Sequence, residues 1–230
     1  MSAKWTIMVY MAADEVLANF AVNCLKQLKD SAGSQVVVAA QLGIDPIVTS
    51  QHISLPVRYK FAHENASKRS INDALFRAEP QPQAGAPMTD PALLSEFLEW
   101  AYRECPAENY ALVVWGHGPE LCYQTPDAGR RQLYFKPQDL AKALRDAGIG
   151  KDPEKPDKKL CVIGMDACSM STFEFAFELR NLAEFMVASQ DEVPDLSFPY
   201  YSILEQLKAG KLYSPQSLYD ACVGDYINEY

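Results

Sequence analysis

The chain has 230 residues, of which 48% are hydrophobic and 22% charged, and its formal net charge is −9. This length can bury one sizeable core without a stabilising metal or disulfide, so we expect one domain spanning residues 1–230. The acidic balance argues against nucleic acid as a partner, because phosphate binding requires a surplus of Lys and Arg, and it favours positively charged ligands.

Five apolar runs are typical of strands that are buried on both faces of a parallel sheet. They are residues 5–11, 35–42, 110–115, 160–164 and 185–189. Helical spacing of apolar residues predicts helices across 16–28, from 89–91 to 98, from Pro137 onward, and after Cys168. This alternation predicts an α/β fold with three layers, in which helices flank a mostly parallel central sheet.

Two further stretches of sequence bear on the arrangement of the sheet and on the cellular location of the protein. Residues 51–61, QHISLPVRYKF, alternate apolar and polar, which predicts a half-exposed strand or hairpin arm outside the parallel set. The opening MSAKWTIMVYMAAD is interpreted as the first strand and not as a signal peptide, because Asp14 and Glu15 stand where a cleavage site should be. The sequence therefore predicts a cytoplasmic protein. No apolar run approaches the roughly 18 residues of a membrane span, so no membrane partner is expected.

The six cysteines raise the question of a disulfide framework. Such frameworks are typical of short secreted domains, so we expect reduced thiols. Cys24, Cys161 and Cys222 fall within apolar patterns and are assigned to the core. Cys168 differs, because it stands at a strand-to-helix junction with an acid, Asp166, two residues before it.

Two predicted strands end in reactive side chains. YALVVWGHG leads into His117, and CVIGMDAC leads into Cys168. Open parallel sheets bind ligands beyond the carboxyl ends of their strands, and adjacent strands are about 4.8 Å apart. If these two strands are neighbours, a thiol nucleophile and an imidazole base lie within reach of each other. Ser171 and Glu174 have capping-box spacing, so a helix N-terminus is expected to stabilise a thiolate at Cys168.

Gly118 would allow its own N–H and that of Cys168 to face a developing oxyanion. A metal site formed by His117, Cys122 and Asp127 is an alternative, although that spacing matches no dependable zinc pattern. His117 lies about 50 residues before Cys168, as the corresponding residues do in caspases, but Asp166-Ala167-Cys168 does not match the caspase Q-A-C signature.

Five blocks of sequence, spread over most of the chain, resemble those of the clostripain family of cysteine peptidases, which share the caspase-like fold. They are WTIMVYMAAD (5–14), MTDPALLSEFLEWA (88–101), YALVVWGHG (110–118), MDACSMSTFEFAFEL (165–179) and MVASQDEVP (186–194). The resemblance implies a cysteine-type endopeptidase in which His117 is the general base and Cys168 the nucleophile. The N–H groups of Gly118 and Cys168 would form the oxyanion hole.

Clostripain-like enzymes cleave after Arg, or sometimes Lys, using an acidic pocket. The resemblance therefore implies a peptide or protein substrate with a basic P1 residue. Asp195 is the candidate for the pocket floor, because a buried carboxylate pairs bidentately with a guanidinium, and Asp166 is a candidate for the pocket wall. Members often mature by self-cleavage between the His and the Cys, which makes Arg130 and Arg131 candidates for that site.

Several alternatives stay open at the level of sequence. Pro119 and Glu120, and the stretch Leu196-Ser197-Phe198, depart from the family pattern at the substrate cleft, so a catalytically silent binding or scaffold protein is one alternative. A Cys-His amidohydrolase acting on a small amide is another. The chain is short for the family, which fits a minimal or C-terminally truncated member. The chemistry requires no cofactor, and the oligomeric state, a calcium requirement and the secretion usual in the family are not decided by the sequence.

Overall fold

The computed structural model describes residues 2–13, 16–44, 56–62, 77, 87–118, 135–150, 160–194 and 198–229. The strands are β1 (Ala3–Ala13), β2 (Val36–Ile44), β3 (Val57–Phe61), β4 (Ala107–Trp115), β5 (Leu160–Asp166) and β6 (Ala183–Ala188). The helices are α1 (Ala18–Ser31), α2 (Pro91–Glu104), α3 (Pro137–Asp146), α4 (Phe173–Leu179), α5 (Tyr200–Lys208) and α6 (Pro215–Glu229). None of these helices has the length and apolar character that crossing a membrane requires.

The strands form one sheet in the order β3-β2-β1-β4-β5-β6. Every neighbouring pair is parallel except β2 and β3, which are antiparallel. From β1, the strands β2 and β3 follow in one direction across the sheet. From β4, which lies on the other side of β1, the strands β5 and β6 follow in the opposite direction. The strand order therefore reverses between β1 and β4, which is the type of position where open α/β sheets leave a ligand crevice.

The sheet separates two hydrophobic clusters, one on each face. Successive side chains of a strand point to opposite faces, so in β1 Trp5 and Ile7 join one cluster while Met8 and Tyr10 join the other. The first cluster contains residues of α1, α5 and α6, and the second contains residues of α2, α3 and α4. The predicted three-layer α/β fold is confirmed.

Two predicted helix starts are also confirmed. Pro91 is the first residue of α2, and the side chain of Asp90 before it accepts a hydrogen bond from the N–H of Ala92 at 2.9 Å. Pro137 opens α3. Proline suits this position because the first N–H groups of a helix have no partner within the helix.

The prediction of a half-exposed strand within 51–61 is wrong about exposure. Strand β3 does lie outside the parallel set, but its apolar side chains are buried, Arg58 is 3% exposed and Lys60 is half-buried. Residues 51–55 of the predicted stretch lie outside the described residues. The Arg58 Nε donates to Gln41 Oε1 at 2.8 Å, and its guanidinium lies over the Trp100 ring, 5.7 Å from the centroid. These partners compensate for burying a charge that the alternating pattern had suggested would face water.

Candidate active site

The strands that precede His117 and Cys168 are direct neighbours. β4 and β5 pair in parallel with Trp115 opposite Asp166, and the N–H of Gly116 donates to the Asp166 carbonyl at 3.3 Å. His117 and Cys168 each lie two residues beyond this last pair. Both therefore leave the sheet at the same level of its carboxyl edge, as the sequence predicts.

The loops that carry these two residues are in contact. An ideal Cβ built on Gly118 would lie 1.7 Å from the carbonyl oxygen of Cys168 and 2.6 Å from its carbonyl carbon. Those distances leave no room for a side chain, so a glycine at 118 allows the backbone after His117 to pack directly on the backbone of Cys168. The close approach, and not an unusual backbone angle, explains the glycine at this position.

The Cys168 thiol interacts with a third loop, the one that follows β6. The N–H of Val193 donates to the Cys168 Sγ at 3.3 Å, and the Sγ lies 3.9 Å from the Val193 carbonyl. The loop after β6 thus supplies a backbone hydrogen-bond donor to the sulfur. This contact was not predictable from sequence, because Val193 is 25 residues from Cys168 and carries an ordinary apolar side chain.

The turn after the thiol is fixed by the same loop. The N–H of Ser169 donates to the Asp191 carbonyl at 3.0 Å, and that of Ser171 donates to the Ser189 carbonyl at 2.8 Å. Ser169 has a φ of 55°, in the left-handed region. For a residue other than glycine this conformation costs about 1 kcal/mol or more, so the surrounding contacts must hold the turn in place.

The predicted N-cap of the next helix is wrong by one residue. Helix α4 begins at Phe173, and its N-cap is Thr172, whose Oγ1 accepts from the N–H of Phe175 at 3.4 Å. Ser171, the predicted cap, is instead engaged through its N–H with the loop after β6. The expected stabilisation of a thiolate at Cys168 by this helix N-terminus stays a prediction.

Of the five cysteines that the structure describes, four are buried and Cys168 is half-buried, and none of the five forms a disulfide. Burial raises the pKa of Cys105 to about 11 and that of Cys222 to about 12, and it raises the pKa of Cys24 well above its usual value. These thiols are protonated near neutral pH and are therefore poor nucleophiles. The core assignment of Cys24, Cys161 and Cys222 is confirmed.

Asp166 lies at the end of β5 and is 3% exposed. Its Oδ2 accepts hydrogen bonds from the Tyr200 hydroxyl at 2.7 Å and from the N–H of Phe198 at 3.2 Å. Its predicted role as a pocket wall stays a prediction. Asp195, Arg130 and Arg131 lie outside the described residues, and so do Cys122 and Asp127 of the alternative metal site.

Two tyrosines near the thiol were missed by sequence reasoning. Tyr200 is the first residue of α5, and its hydroxyl donates a hydrogen bond to Asp166. Tyr226 of α6 packs edge-on against Phe198, with ring centroids 6.1 Å apart. Burial, and then the charges of Asp166 and Cys168, raise the pKa of Tyr226. No local sequence signal marks either tyrosine, because both reach the site only through tertiary packing.

A metal site at the same edge of the sheet is an alternative left open by the sequence. Within the part of the chain that the structure describes, no three His, Cys, Asp or Glu side chains cluster closely enough to hold a metal ion. The described residues at this edge provide a thiol, an imidazole and backbone N–H groups. That set is typical of nucleophilic catalysis by cysteine.

The sequence model of the clostripain family matches residues 9–230. The chain belongs to the clostripain family. Clostripain from Hathewaya histolytica is 25% identical over an alignment of 224 residues, which covers 90% of this chain and 43% of clostripain. This member of the family therefore spans less than half the length of that curated relative.

Two solved structures share the fold of this clostripain-family chain. The structure of an inactive zymogen C11 protease from Parabacteroides distasonis has a TM-score of 0.73 and 20% identity, covering 100% of this chain and 59% of that one. The structure of a secreted C11 cysteine protease from Bacteroides thetaiotaomicron, in complex with an irreversible peptide inhibitor, has a TM-score of 0.67 and 22% identity, covering 99% of this chain and 60% of that one. The chain thus spans about three fifths of each.

Proposed function

We propose that this chain carries the active site of a cysteine endopeptidase with a His117–Cys168 dyad that cleaves peptide bonds after Arg or Lys. The observation that carries the proposal is the contact between the Gly118 backbone and the Cys168 carbonyl, together with the matched positions of His117 and Cys168 beyond β4 and β5. Membership of the clostripain family supports the same chemistry.

In this mechanism His117 takes the proton of the Cys168 thiol, and the sulfur attacks the carbonyl carbon of the scissile bond. The tetrahedral intermediate collapses to a thioester as protonated His117 gives its proton to the leaving amine. Water, deprotonated by His117, then attacks the thioester carbonyl to give a second tetrahedral intermediate. Its collapse breaks the carbon–sulfur bond, releases the carboxylic acid product and expels the Cys168 thiolate, which takes the proton back from His117. The N–H of Val193 supports the first step, because it already donates to the sulfur that becomes negatively charged.

The oxyanion that forms at each attack requires donors of its own. We propose that the N–H groups of Gly118 and Cys168 supply them, because these two backbones lie against each other at the sheet edge. Donors of this kind are typically worth about 10²- to 10³-fold in rate each. No cofactor takes part in any of these steps.

Selectivity for a basic P1 residue is proposed to depend on Asp195, which is two residues after Val193 in the sequence. Asp195→Ala should lower kcat/KM on fluorogenic Arg peptides by about 10²-fold or more, because a buried ion pair with the guanidinium is lost, and it should leave neutral P1 peptides unaffected. Asp191→Ala is the matched control, since Asp191 is exposed in the same loop. An Asp195→Ala variant that keeps its Arg preference would remove Asp195 from the pocket.

The activity itself is tested with the same peptides. Wild-type protein should hydrolyse peptides with Arg or Lys at P1 and leave matched peptides with neutral P1 residues largely uncut. If wild type and Cys168→Ala hydrolyse every substrate equally, the endopeptidase proposal fails and a catalytically silent binding protein becomes the better account.

Self-cleavage at Arg130 or Arg131 follows from the same selectivity. Intact-mass spectrometry of stored wild-type protein should show two fragments divided after one of these residues. Cys168→Ala should stay whole, and Arg130→Gln with Arg131→Gln should stay whole while still hydrolysing added peptides. Wild-type protein that hydrolyses Arg peptides but never divides there would contradict self-cleavage at this pair.

A further inference from the structure

The backbone conformation directly after Cys168 is unusual. Among the described residues other than glycine, Ser169 is the one with a positive φ, at 55°. A Cβ disfavours this left-handed region, so such a conformation persists only where the surrounding structure fixes it. The hydrogen bond that fixes Ser169 is made by its backbone, because its N–H donates to the Asp191 carbonyl at 3.0 Å.

The peptide group that joins Cys168 to Ser169 contacts the chain on both sides. Its carbonyl oxygen lies against Gly118, only 1.7 Å from where a Cβ at that position would be. Its N–H donates to the Asp191 carbonyl. Because a trans peptide is planar, its C=O and N–H point in opposite directions. This one peptide group therefore links the loop after β4 to the segment 189–193 that follows β6.

The turn that contains this peptide is anchored before and after it. Ala167 is 5% exposed and Met170 is 2% exposed, and both belong to the same hydrophobic cluster. Relaxing Ser169 to an ordinary negative φ would require a rotation of about 100° or more. Such a rotation would turn the carbonyl away from Gly118 and the N–H away from Asp191 at the same time.

We propose that Ser169 is a positioning residue that acts through its left-handed backbone and not through its hydroxyl. The inference rests on the proposed function, because the peptide that it orients belongs to the nucleophile of that reaction. In this conformation the peptide keeps the backbone after His117 on one side of Cys168. It keeps Val193, whose N–H donates to the sulfur at 3.3 Å, on the other side.

Substitutions at position 169 separate a backbone role from a side-chain role. Ser169→Gly removes the hydroxyl and adopts a positive φ freely, whereas Ser169→Thr keeps the hydroxyl and disfavours a positive φ because its Cβ is branched. A second pair controls for size, since asparagine tolerates the left-handed region and valine does not. Ser171→Val is the matched control, because Ser171 is exposed and has no positive φ.

Alkylation of Cys168 by iodoacetamide at pH 7, read by peptide-level mass spectrometry, measures the reactivity of the thiol without requiring hydrolysis. Ser169→Gly and Ser169→Asn should react within about twofold of wild type. Ser169→Thr and Ser169→Val should react about threefold to tenfold more slowly, because the base and the Val193 donor are no longer held at the sulfur. Ser171→Val should react like wild type.

Two further measurements should follow the same order. The kcat/KM on Arg peptides should fall by about 10²-fold in Ser169→Thr and Ser169→Val, mainly through kcat, and stay near wild type in Ser169→Gly and Ser169→Asn. Ser169→Gly should raise the Tm by about 2–4 °C, because glycine relieves the backbone strain.

Three outcomes would overturn the inference. Alkylation of folded Ser169→Thr at the wild-type rate or faster would mean that the left-handed turn does not position the thiol. Slow alkylation of Ser169→Gly would identify the hydroxyl as the functional group. A lower Tm in Ser169→Gly would show that the backbone at this position is not strained. If Ser169→Val does not fold, Ser169→Thr and Ser169→Gly still decide. Wild-type protein that cuts no peptide refutes the proposed function and leaves the alkylation comparison intact.

Discussion

Cys168→Ala is expected to lower kcat/KM on Arg peptides by about 10⁴-fold or more, because it removes the atom that forms the thioester. His117→Ala should lower it by about 10²- to 10⁴-fold, the usual contribution of a positioned general base. The double variant should be no worse than Cys168→Ala, since the base has no function without the thiol. Steady-state kinetics on purified variants measure all three.

The matched control is Cys161→Ala, which changes the other cysteine of β5. Cys161 is 7% exposed and its Sγ lies 3.6 Å from Asn109 Oδ1, remote in register from the sheet edge. Its replacement should cost about 1 kcal/mol of unfolding free energy and leave kcat/KM within about twofold of wild type. A Cys168→Ala protein that retains a tenth of wild-type activity would rule out Cys168 as the nucleophile.

Gly118→Ala is the second large expected effect. A methyl group at this position would lie 1.7 Å from the Cys168 carbonyl oxygen, so one of the two loops must move by more than an ångström. Displacements of about 1 Å at a catalytic site can cost about 10²-fold, and we expect kcat/KM to fall by at least that factor. Thermal unfolding should change far less than activity, because the strained contact lies between two loops at the sheet edge and not in either hydrophobic cluster.

Gly224→Ala adds the same methyl group at a position where there is space for it. A Cβ at Gly224 meets nothing within 4 Å, and the residue lies in α6. Alanine in a helix is favoured over glycine by up to about 1 kcal/mol, so this variant should be slightly stabilised and fully active. Wild-type activity in Gly118→Ala would show that the two loops are not packed as described.

The sheet and the positions of His117 and Cys168 were predictable from sequence because both follow from local pattern. Apolar runs give buried parallel strands, and residues that directly follow such strands emerge at the carboxyl edge of the sheet. Only the adjacency of β4 and β5 had to be assumed, and the structure confirms it. The resemblance to the clostripain family added the roles of these residues, which stay predictions until variants are assayed.

The remaining features of the site depend on contacts between residues far apart in sequence. Val193 reaches the thiol, and Tyr200 reaches Asp166, across more than two dozen residues. The helix cap was misplaced because Ser171 and Thr172 carry equally suitable hydroxyls, and the engagement of the Ser171 N–H by the loop after β6 is visible only in three dimensions. The polar side chains of β3 were expected in water because their buried partners, including Gln41, come from other elements.

Covalent labelling with an irreversible peptide inhibitor that carries Arg at P1, such as a peptidyl acyloxymethyl ketone, tests the central claim most directly. We predict one adduct per chain, mapped by mass spectrometry to Cys168, formed in step with the loss of hydrolytic activity. The adduct should be absent in Cys168→Ala, slowed in His117→Ala and unchanged in Cys161→Ala. Arg-peptide hydrolysis that persists after Cys168 is fully labelled, or an inactivating adduct on another residue, would contradict the assignment of Cys168 as the nucleophile of a basic-specific peptidase.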